Sequence, residues 1–271
     1  MSIRLPPVRQ RQVSERRRKR EGRYARGIRI LTDDAEVDNC EIYGWPNQAI
    51  SIGASSTVVS PHIHHIYGHD CMMVGAGYVI DVINGHPTIE LSYFNATRHS
   101  VNGFGYPTCG YTLEDCLFGP TTYSRAVDMH CLAENGGGDD LTAGGRVEVR
   151  RCTFAFTHSI KDNNCQAIAF RGYPDDEYVT ENNRFLHDIE PGFENPANTS
   201  YQPVPYRQIN LGSGTWSGWY ASDNQYGVSE THESGVGAPV NLDDPMDGKP
   251  LLSEERRRAL RAALRSLESQ G

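Results

Sequence analysis

The sequence predicts an all-β protein in which short strands stack into a long coil. Three observations predict it: a weak repeat of short apolar segments, corners rich in Gly and Asn between them, and only one convincing helical segment. A single coil cannot bury its own apolar face, so it must bury that face against its neighbours. The 271 residues are enough for one such domain with a sizeable core.

The first element of the repeat is an apolar residue, four mostly polar or small residues, and a second apolar residue. Cys40, Ser92, Cys116 and Cys152 occupy one position in the middle of this unit, with Pro61 as the exception. Stacked coils would align these residues in a ladder. The predicted units are Val37–Ile42, Val58–Ile63, Ile89–Phe94, Leu113–Phe118 and Val149–Phe154.

A second short apolar element usually follows the first. Its central apolar residue is expected to point inward, so the next residue points outward, because side chains alternate along a strand. This alignment places Asp128 and His130 outward, with Asn102 and Phe104 one coil away and Arg171 in the coil on the other side. The aligned central residues are Ile50, Val101, Val127, Ile168 and Ile209.

The words "DNCEIYGWPNQAISIG", "SPHIHHIYGHD" and "VEVRRCTFAF" resemble the short repeats of the right-handed parallel β-helix superfamily, the pectate-lyase-like fold. The resemblance covers about residues 27–230. It implies the architecture but no single activity, because this fold hosts lyases, hydrolases, epimerases and viral spikes. An antiparallel sandwich would instead show hairpin signals, and none of the Asn-Gly pairs in the chain is flanked on both sides by clean alternation.

The chain divides into three parts. Residues 1–26 form a basic arm with few apolar residues, expected to be disordered or extended. Residues 27–252 form the β-helix domain. Residues 253–271 form a short C-terminal α-helix, in which Ser253 is the N-cap and Leu260, Leu264 and Leu267 make a narrow apolar stripe. This stripe either caps the core or allows self-association, so a homo-oligomer formed through the helix or the arm is one expectation.

The net charge of -8 hides a strong asymmetry. Residues 1–26 carry ten Lys and Arg against two Asp and Glu, whereas residues 27–252 carry eleven against twenty-nine. The acidic core disfavours nucleic acid as its partner, although the basic arm could bind phosphates or act in assembly. No run of about 18 apolar residues predicts a membrane span. No recognisable secretory signal follows the N-terminal arginines, and the compartment stays open, with an extracellular or virion-associated location favoured.

The chain has seven cysteines and no Cys-x-x-Cys pair. A chain of this length does not need disulfides to be stable, and an odd number cannot pair completely. We therefore interpret the cysteines as small core residues.

The outward residues around Asp128 predict the main candidate site. An acid, an imidazole, a guanidinium and an aromatic ring on one face could bind a sugar chain, with Arg171 holding a carboxylate and Phe104 offering a stacking surface. Asn102, Arg98 and Arg125 are expected at the same rim. His99 is a further candidate for substrate binding, although it lies an even number of residues from Val101 and would therefore point inside unless a corner intervenes. The ordinary alternative is a solvated polar face without a site.

The loop "ENGGGDDLTAGG" carries a second candidate, the pair Asp139 and Asp140. Paired carboxylates can act as acid and base on a glycosidic bond, and they can also bind Ca²⁺ through oxygen. The motif resembles the paired-aspartate segment of polygalacturonase-type hydrolases, but their Gly-His-Gly and Arg-Ile-Lys elements are missing here. The alternative is a plain acidic loop.

The segment "PHIHHIYGHD" contains four histidines: His62, His64, His65 and His69. His62 and His64 share a face in a strand, a spacing that could hold a transition metal. No third ligand is fixed by spacing, so we assign no metal ligands and no cofactor beyond Ca²⁺ as a candidate at the aspartate loop.

Two functional hypotheses follow. The first is a carbohydrate-active protein that binds an acidic polysaccharide and, as a lyase or glycosidase, cleaves it. Asp128 and Asp139 or Asp140 would be its acid and base, His130 an orienting residue or proton shuttle, and Arg171 a clamp for the substrate carboxylate. The second is a non-catalytic structural or adhesion protein, such as a viral spike or tail component or a surface-binding module. The missing catalytic signatures leave both open.

Overall fold

The structure is a computed structural model that describes residues 25–73, 75–119, 122, 124–155, 166–186, 204–208 and 218–226. Of residues 204–208 it describes the backbone alone. Within these residues the protein is built from β-strands, and every pairing between the named strands is parallel. One 3₁₀ turn, Leu132–Asn135, accompanies them.

The strands form two sheets in which neighbours in space come from successive turns of the chain. The seven-stranded sheet contains, in order, β1 (Arg26–Ile30), β3 (Gln48–Ile52), β5 (Tyr78–Val82), β8 (His99–Gly103), β11 (Val127–Met129), β14 (Gln166–Phe170) and β17 (Val204–Gln208). The twelve-stranded sheet contains β2 (Glu36–Tyr43), β4 (Val58–His69), β6 (Gly85–Glu90), β7 (Tyr93–Asn95), β9 (Tyr111–Glu114), β10 (Leu117–Phe118), β12 (Val147–Arg150), β13 (Thr153–Phe154), β15 (Tyr178–Glu181), β16 (Arg184–Phe185), β18 (Trp219–Ser222) and β19 (Gln225–Tyr226).

The twelve-stranded sheet consists of two rows that meet at the long strand β4. One row runs through β6, β9, β12, β15 and β18, and the other through β7, β10, β13, β16 and β19. Together with the seven-stranded sheet they give three rows of short parallel strands, one strand of each row per coil. This all-β arrangement is compatible with the expected parallel β-helix.

The core lies between the rows, where equivalent residues of successive coils stack on each other. Phe94, Phe118, Phe154 and Phe185 form such a stack, with ring centroids 5.4, 4.6 and 4.9 Å apart and nearly parallel planes. All four side chains are fully buried. Aromatic pairs at these separations contribute beyond the area they bury, so the stack ties the coils together.

The corner between the two rows of the twelve-stranded sheet repeats one backbone conformation in every coil. The corner residues have φ between 47° and 54°, the left-handed region that few residues other than Gly, Asn and Asp adopt readily. They are Asn39, His65, Leu91, Asp115, Arg151, Asn182 and Asp223. The left-handed residue turns the chain sharply, which lets the strands on either side belong to different rows.

The predicted ladder of small residues is confirmed, with one correction. The pairings Leu117↔Tyr93 and Leu117↔Thr153 put Ser92, Cys116 and Cys152, which directly precede these residues, at equivalent places. The unit Val58–Ile63 was misaligned, because Ile63 pairs with Val37 and the residue equivalent to Cys40 is Ile66 rather than Pro61. A register shift between Val59 and His62, where Ser60 has a φ of 50°, hides this from the sequence.

The register of the seven-stranded sheet differs from the predicted alignment in two places. The alignment through Ile209 was wrong, because Tyr206 is the residue that pairs with Ile168. The coil that contains β5 was missed in the alignment altogether. Six cysteines lie in the described residues, and all six are buried and form no disulfide bond there, as predicted.

The ends of the chain lie largely outside the described residues. Residues 1–24 of the predicted arm and all of the predicted helix at 253–271 belong to this part, so both stay predictions. Among the described residues, no helix has the length and apolar character that crossing a membrane requires.

Candidate functional site

The outer face of the seven-stranded sheet carries a row of polar side chains. Ser51, Asp81, Asn102 and Asp128 pair in register from β3 to β11, and Ala169 continues the row on β14. Their sequence neighbours Ile50, Ile80, Val101, Val127 and Ile168 belong to the hydrophobic core. Side chains alternate along a strand, so the polar row faces away from the core. All five residues of the row are nonetheless buried.

The start of these strands adds a second row to the same face. The amides of Ser100 and Val101 both donate to the Ala126 carbonyl, at 2.8 and 3.1 Å, which is the mark of a bulge. The bulge removes His99 from the strict alternation of side chains. As a result, His99 lies on the same face as Asp128, with its Nε2 3.4 Å from the Asp128 carboxylate. The prediction from parity, that His99 lies inside, fails for this reason.

Asp128 is the centre of a cluster of charges. Arg171 Nε donates to its Oδ1 at 2.9 Å, and Arg171 Nη2 donates to its Oδ2. Arg125 Nη1 lies 3.5 Å from Oδ2. Burial by itself would raise the pKa of Asp128, but Arg171 and Arg125 outweigh it and hold this pKa well below its usual value. Asp128 is therefore a permanent carboxylate, and Arg171 is a clamp for this carboxylate of the protein itself.

Asp81 lies on the same face two coils away and has the opposite electrostatic character. Its carboxylate accepts hydrogen bonds from Asn102 Nδ2, at 2.6 Å, and from Gln48 Nε2. Burial raises the pKa of Asp81 to about 6, although the hydrogen bonds from Asn102 and Gln48 and the charge of His130 oppose the rise. Asp81 can thus exchange a proton near neutral pH, which Asp128 cannot.

Two histidines at Asp128 turn the same ring nitrogen, Nε2, toward its carboxylate. His99 Nδ1 lies 2.9 Å from the Arg125 carbonyl, which only accepts, so this nitrogen carries the proton. Burial lowers the pKa of His99 well below its usual value, although Asp128 opposes it, so the ring is neutral and its Nε2 is bare. His130 Nδ1 lies 2.9 Å from Glu134, and its Nε2 lies 3.7 Å from Asp128. Both Nε2 atoms can therefore accept a hydrogen bond.

Five buried side-chain atoms in the described residues have no hydrogen-bond partner. They are Gln48 Oε1, Ser51 Oγ, His99 Nε2, Asn102 Oδ1 and His130 Nε2. Ser51 and Asn102 belong to the polar row, Gln48 and His99 begin β3 and β8, and His130 directly follows β11. Each such atom costs about 1–3 kcal/mol unless a water or ligand meets it, so unused hydrogen-bonding capacity is concentrated on this face.

The other predicted site residues are spread around this face. Arg98 lies over the Tyr78 ring, with Nη1 3.3 Å from the Tyr78 hydroxyl, and forms no ion pair with any described residue. Phe104 follows β8 and is partly buried. Asp139 and Asp140 are exposed in the loop after the 3₁₀ turn, where Asp140 Oδ1 accepts from the Thr142 amide at 2.8 Å.

The structure brings together Asp128, His130, Arg171, Asn102, Arg125 and His99, as the row alignment predicted in large part. Neither Asp139 nor Asp140 makes an ion pair with the described residues of this group, and binding of Ca²⁺ to their loop stays a prediction. The sequence reasoning missed Asp81, Gln48, Tyr78 and Glu134. A signal for Asp81 was present, because "VIDVI" repeats the pattern of "AVDMH", with an aspartate after the inward residue.

Comparison with known proteins adds no family to this geometry. No protein-family model, no curated protein and no solved structure matches the chain.

Proposed function

We propose that the chain is a right-handed parallel β-helix of the pectate-lyase-like type, and that the outer face of its seven-stranded sheet binds and hydrolyses an acidic polysaccharide. The observation that carries the proposal is the pair of buried aspartates, Asp81 and Asp128, two coils apart on one face with opposite pKa shifts. Two carboxyl groups whose environments separate their pKa values mark an acid and a permanent anion.

Asp81 is the general acid of this proposal. Its raised pKa keeps a fraction of the carboxyl protonated near neutral pH, and this proton passes to the glycosidic oxygen as the bond to the leaving sugar breaks. Neighbouring parallel strands lie about 4.8 Å apart, so the Cα atoms of Asp81 and Asp128 are about 9.6 Å apart.

His130 is the general base that accepts a proton from the attacking water. Glu134 holds its Nδ1 at 2.9 Å, which leaves Nε2 bare and orients the ring, as carboxylates do for catalytic histidines. Asp128 cannot serve as this base, because its pKa is held well below the usual range. Its charge instead stabilises the positive charge that develops on His130 and on the sugar ring.

The substrate carboxylate is bound by Arg98 in this proposal. Arg171 is already engaged with Asp128 and Glu134, whereas Arg98 has no ion pair among the described residues. Arginine holds a carboxylate through two parallel hydrogen bonds, which gives a preference for uronic acids over neutral sugars. Phe104 supplies an apolar surface at the end of β8 against which a sugar ring can stack.

The test is incubation of the purified protein with uronate and neutral polysaccharides, followed by assays of new reducing ends and of unsaturated products. We expect reducing ends without unsaturation, from uronate polymers only, and a loss of about 10²–10⁴-fold in Asp81→Asn, the usual contribution of a general acid. Asp175→Asn, at an exposed aspartate, is the matched control and should keep full activity. Unsaturated products would contradict hydrolysis, and full activity in Asp81→Asn would contradict the assignment of the acid.

A non-catalytic binding or adhesion protein is the second candidate. Arg171 donates to both carboxylate oxygens of Asp128 and neutralises its charge. This favours the second candidate, because such an ion pair can be purely structural. Binding of a polysaccharide that Arg98→Gln weakens, without any product, would support this second function over the first.

A further inference from the structure

We propose that Asp38, His64 and His65 form a binding site for one divalent transition-metal cation. The three residues lie on β2 and β4, away from the polar face of the seven-stranded sheet. They form a group of potential metal-ligating side chains whose ligand atoms lie close together. The site is independent of the proposed hydrolysis.

The three ligand atoms form a compact triangle. His64 Nδ1 lies 2.8 Å from His65 Nδ1 and 3.2 Å from Asp38 Oδ1, and His65 Nδ1 lies 3.1 Å from the same oxygen. For metal–ligand bonds of about 2.1 Å, two ligands lie about 3.0 Å apart at 90° and about 3.4 Å apart at the tetrahedral angle. The observed edges match three ligands on one face of a metal ion, with its other positions left to water.

The protons of the two histidines cannot satisfy this triangle without a cation. His64 Nε2 lies 2.9 Å from the Glu36 carboxylate and donates to it, so Nδ1 of a neutral His64 is bare and faces Asp38 Oδ1, also an acceptor. Protonation of both Nδ1 atoms would place two N–H groups against each other at 2.8 Å. If only one Nδ1 is protonated, the other Nδ1 and Asp38 Oδ1 are both acceptors and still face each other along the third edge of the triangle. A cation in the centre satisfies all three edges at once.

The left-handed corner makes the arrangement possible. Consecutive residues in a straight strand point to opposite faces, so His64 and His65 could not share a ligand. His65 has a φ of 51°, which turns its side chain to the side of its neighbour. Asp38 pairs directly with His64 across the coils, so the third ligand comes from the adjacent strand.

The donor set indicates which cation the site takes. Two imidazoles and one carboxylate suit Zn²⁺ and similar first-row ions, whereas Ca²⁺ and Mg²⁺ prefer oxygen alone. Glu36 holds the other nitrogen of His64, the outer contact that metal-bound histidines usually have. Glu36 and Asp38 also make the surroundings negative. A bound ion would join β2, which pairs within its sheet with β4 alone among the described strands, to the next coil.

The test is equilibrium dialysis of the full chain against Zn²⁺, with Mg²⁺ and Ca²⁺ as competitors. We expect one Zn²⁺ per chain that excess Mg²⁺ or Ca²⁺ does not displace, and an affinity at least tenfold weaker in His65→Asn and in Asp38→Asn. Asparagine is accepted at left-handed positions, so His65→Asn should keep the corner. Circular dichroism of each variant verifies the fold.

His69→Asn is the matched control. His69 lies on the same strand and contacts two carboxylates, Asp70 at 2.8 Å and Glu41 at 3.3 Å, but through opposite ring nitrogens that cannot meet at one ion. Zn²⁺ affinity should be unchanged in this variant. Absence of Zn²⁺ binding, affinity unchanged in the folded His65→Asn and Asp38→Asn variants, or an equal loss in His69→Asn would each overturn the proposal.

Discussion

Arg171 holds Asp128 from the neighbouring coil, with Nε donating to Oδ1 at 2.9 Å and Nη2 donating to Oδ2. Asp128 lies on β11 and Arg171 directly follows β14, the adjacent strand of the seven-stranded sheet, so residues 43 positions apart in the chain become direct neighbours. Asp128 is 0% exposed. The pair therefore couples the stacking of two coils to the electrostatics of the candidate site.

Asp128→Asn should lower the free energy of unfolding by about 3–5 kcal/mol, because it removes the buried charge that pairs with Arg171 and Arg125 and leaves Arg171 only the more exposed Glu134 as a counter-charge. Denaturation with urea measures the change. Arg146→Ala removes a more exposed arginine that pairs with Glu148 and should cost about 1 kcal/mol or less. Equal effects of the two substitutions would show that the Asp128 cluster is not buried as described.

Asp81 should make stability fall as pH rises through the range where it ionises. Its pKa is raised to about 6 in the folded state and is about 3.9 in an unfolded chain, so the folded state binds more protons between these values. Between about pH 4 and pH 6, the free energy of unfolding of the wild type should fall by up to about 3 kcal/mol relative to that of Asp81→Asn. Urea denaturation of both proteins across this range measures the difference.

The stability difference between wild type and Asp128→Asn should depend on pH in the opposite direction. The pKa of Asp128 is held well below its usual value, so its contribution is present above about pH 4 and is lost as pH falls below that value. The difference in stability between wild type and Asp128→Asn should therefore shrink in acid. If the stability difference changed with pH in the same direction for both variants, the opposite pKa shifts of Asp81 and Asp128 would be contradicted.

Leu91→Asn should raise the free energy of unfolding by about 1 kcal/mol. Leu91 occupies the left-handed corner with a φ of 47° and is 37% exposed, so the substitution relieves backbone strain and loses little apolar burial. The reverse change at an equivalent corner, Asn182→Leu, should lower stability by a similar amount. Thermal and urea denaturation measure both, and a loss of stability in Leu91→Asn would refute the repeated corner.

Phe118→Ala should cost about 3–5 kcal/mol, because it opens a cavity in the middle of the phenylalanine stack. Tyr220→Ala removes a side chain that is 63% exposed and should change stability by less than about 0.5 kcal/mol. Chemical denaturation provides the measurement. A small effect at Phe118 would mean that the coils do not stack through this row.

The sequence predicted the stacked coils because some ladders repeat a visible residue type. Cys116 and Cys152 share one position, and Val101 and Val127 share another, so the spacing between them could be read directly. The unit at Val58 could not be aligned in this way. Its strand β4 passes through a bend at Ser60 and continues into the next row without a break.

The candidate site was predicted in part for the same reason. Asn102, Asp128 and Arg171 follow from alternation along strands that had been aligned. The position of His99 did not follow from alternation, since a bulge overrides it. In the separate group with Asp38, the position of His65 did not follow either, since its left-handed backbone turns the side chain. Local backbone irregularities of this kind leave little trace in residue type. Asp81 could have been found from "VIDVI", whose coil the alignment passed over.

The most direct test of the account is a pH titration of the aspartate side-chain carboxyl carbons by nuclear magnetic resonance in the folded wild type, with Asp81→Asn and Asp128→Asn used to assign the two signals. The account predicts that Asp81 titrates with a midpoint near 6 while Asp128 remains ionised through the whole of that transition. Two signals that titrate together near the ordinary value for aspartate, about 3.9, would contradict it.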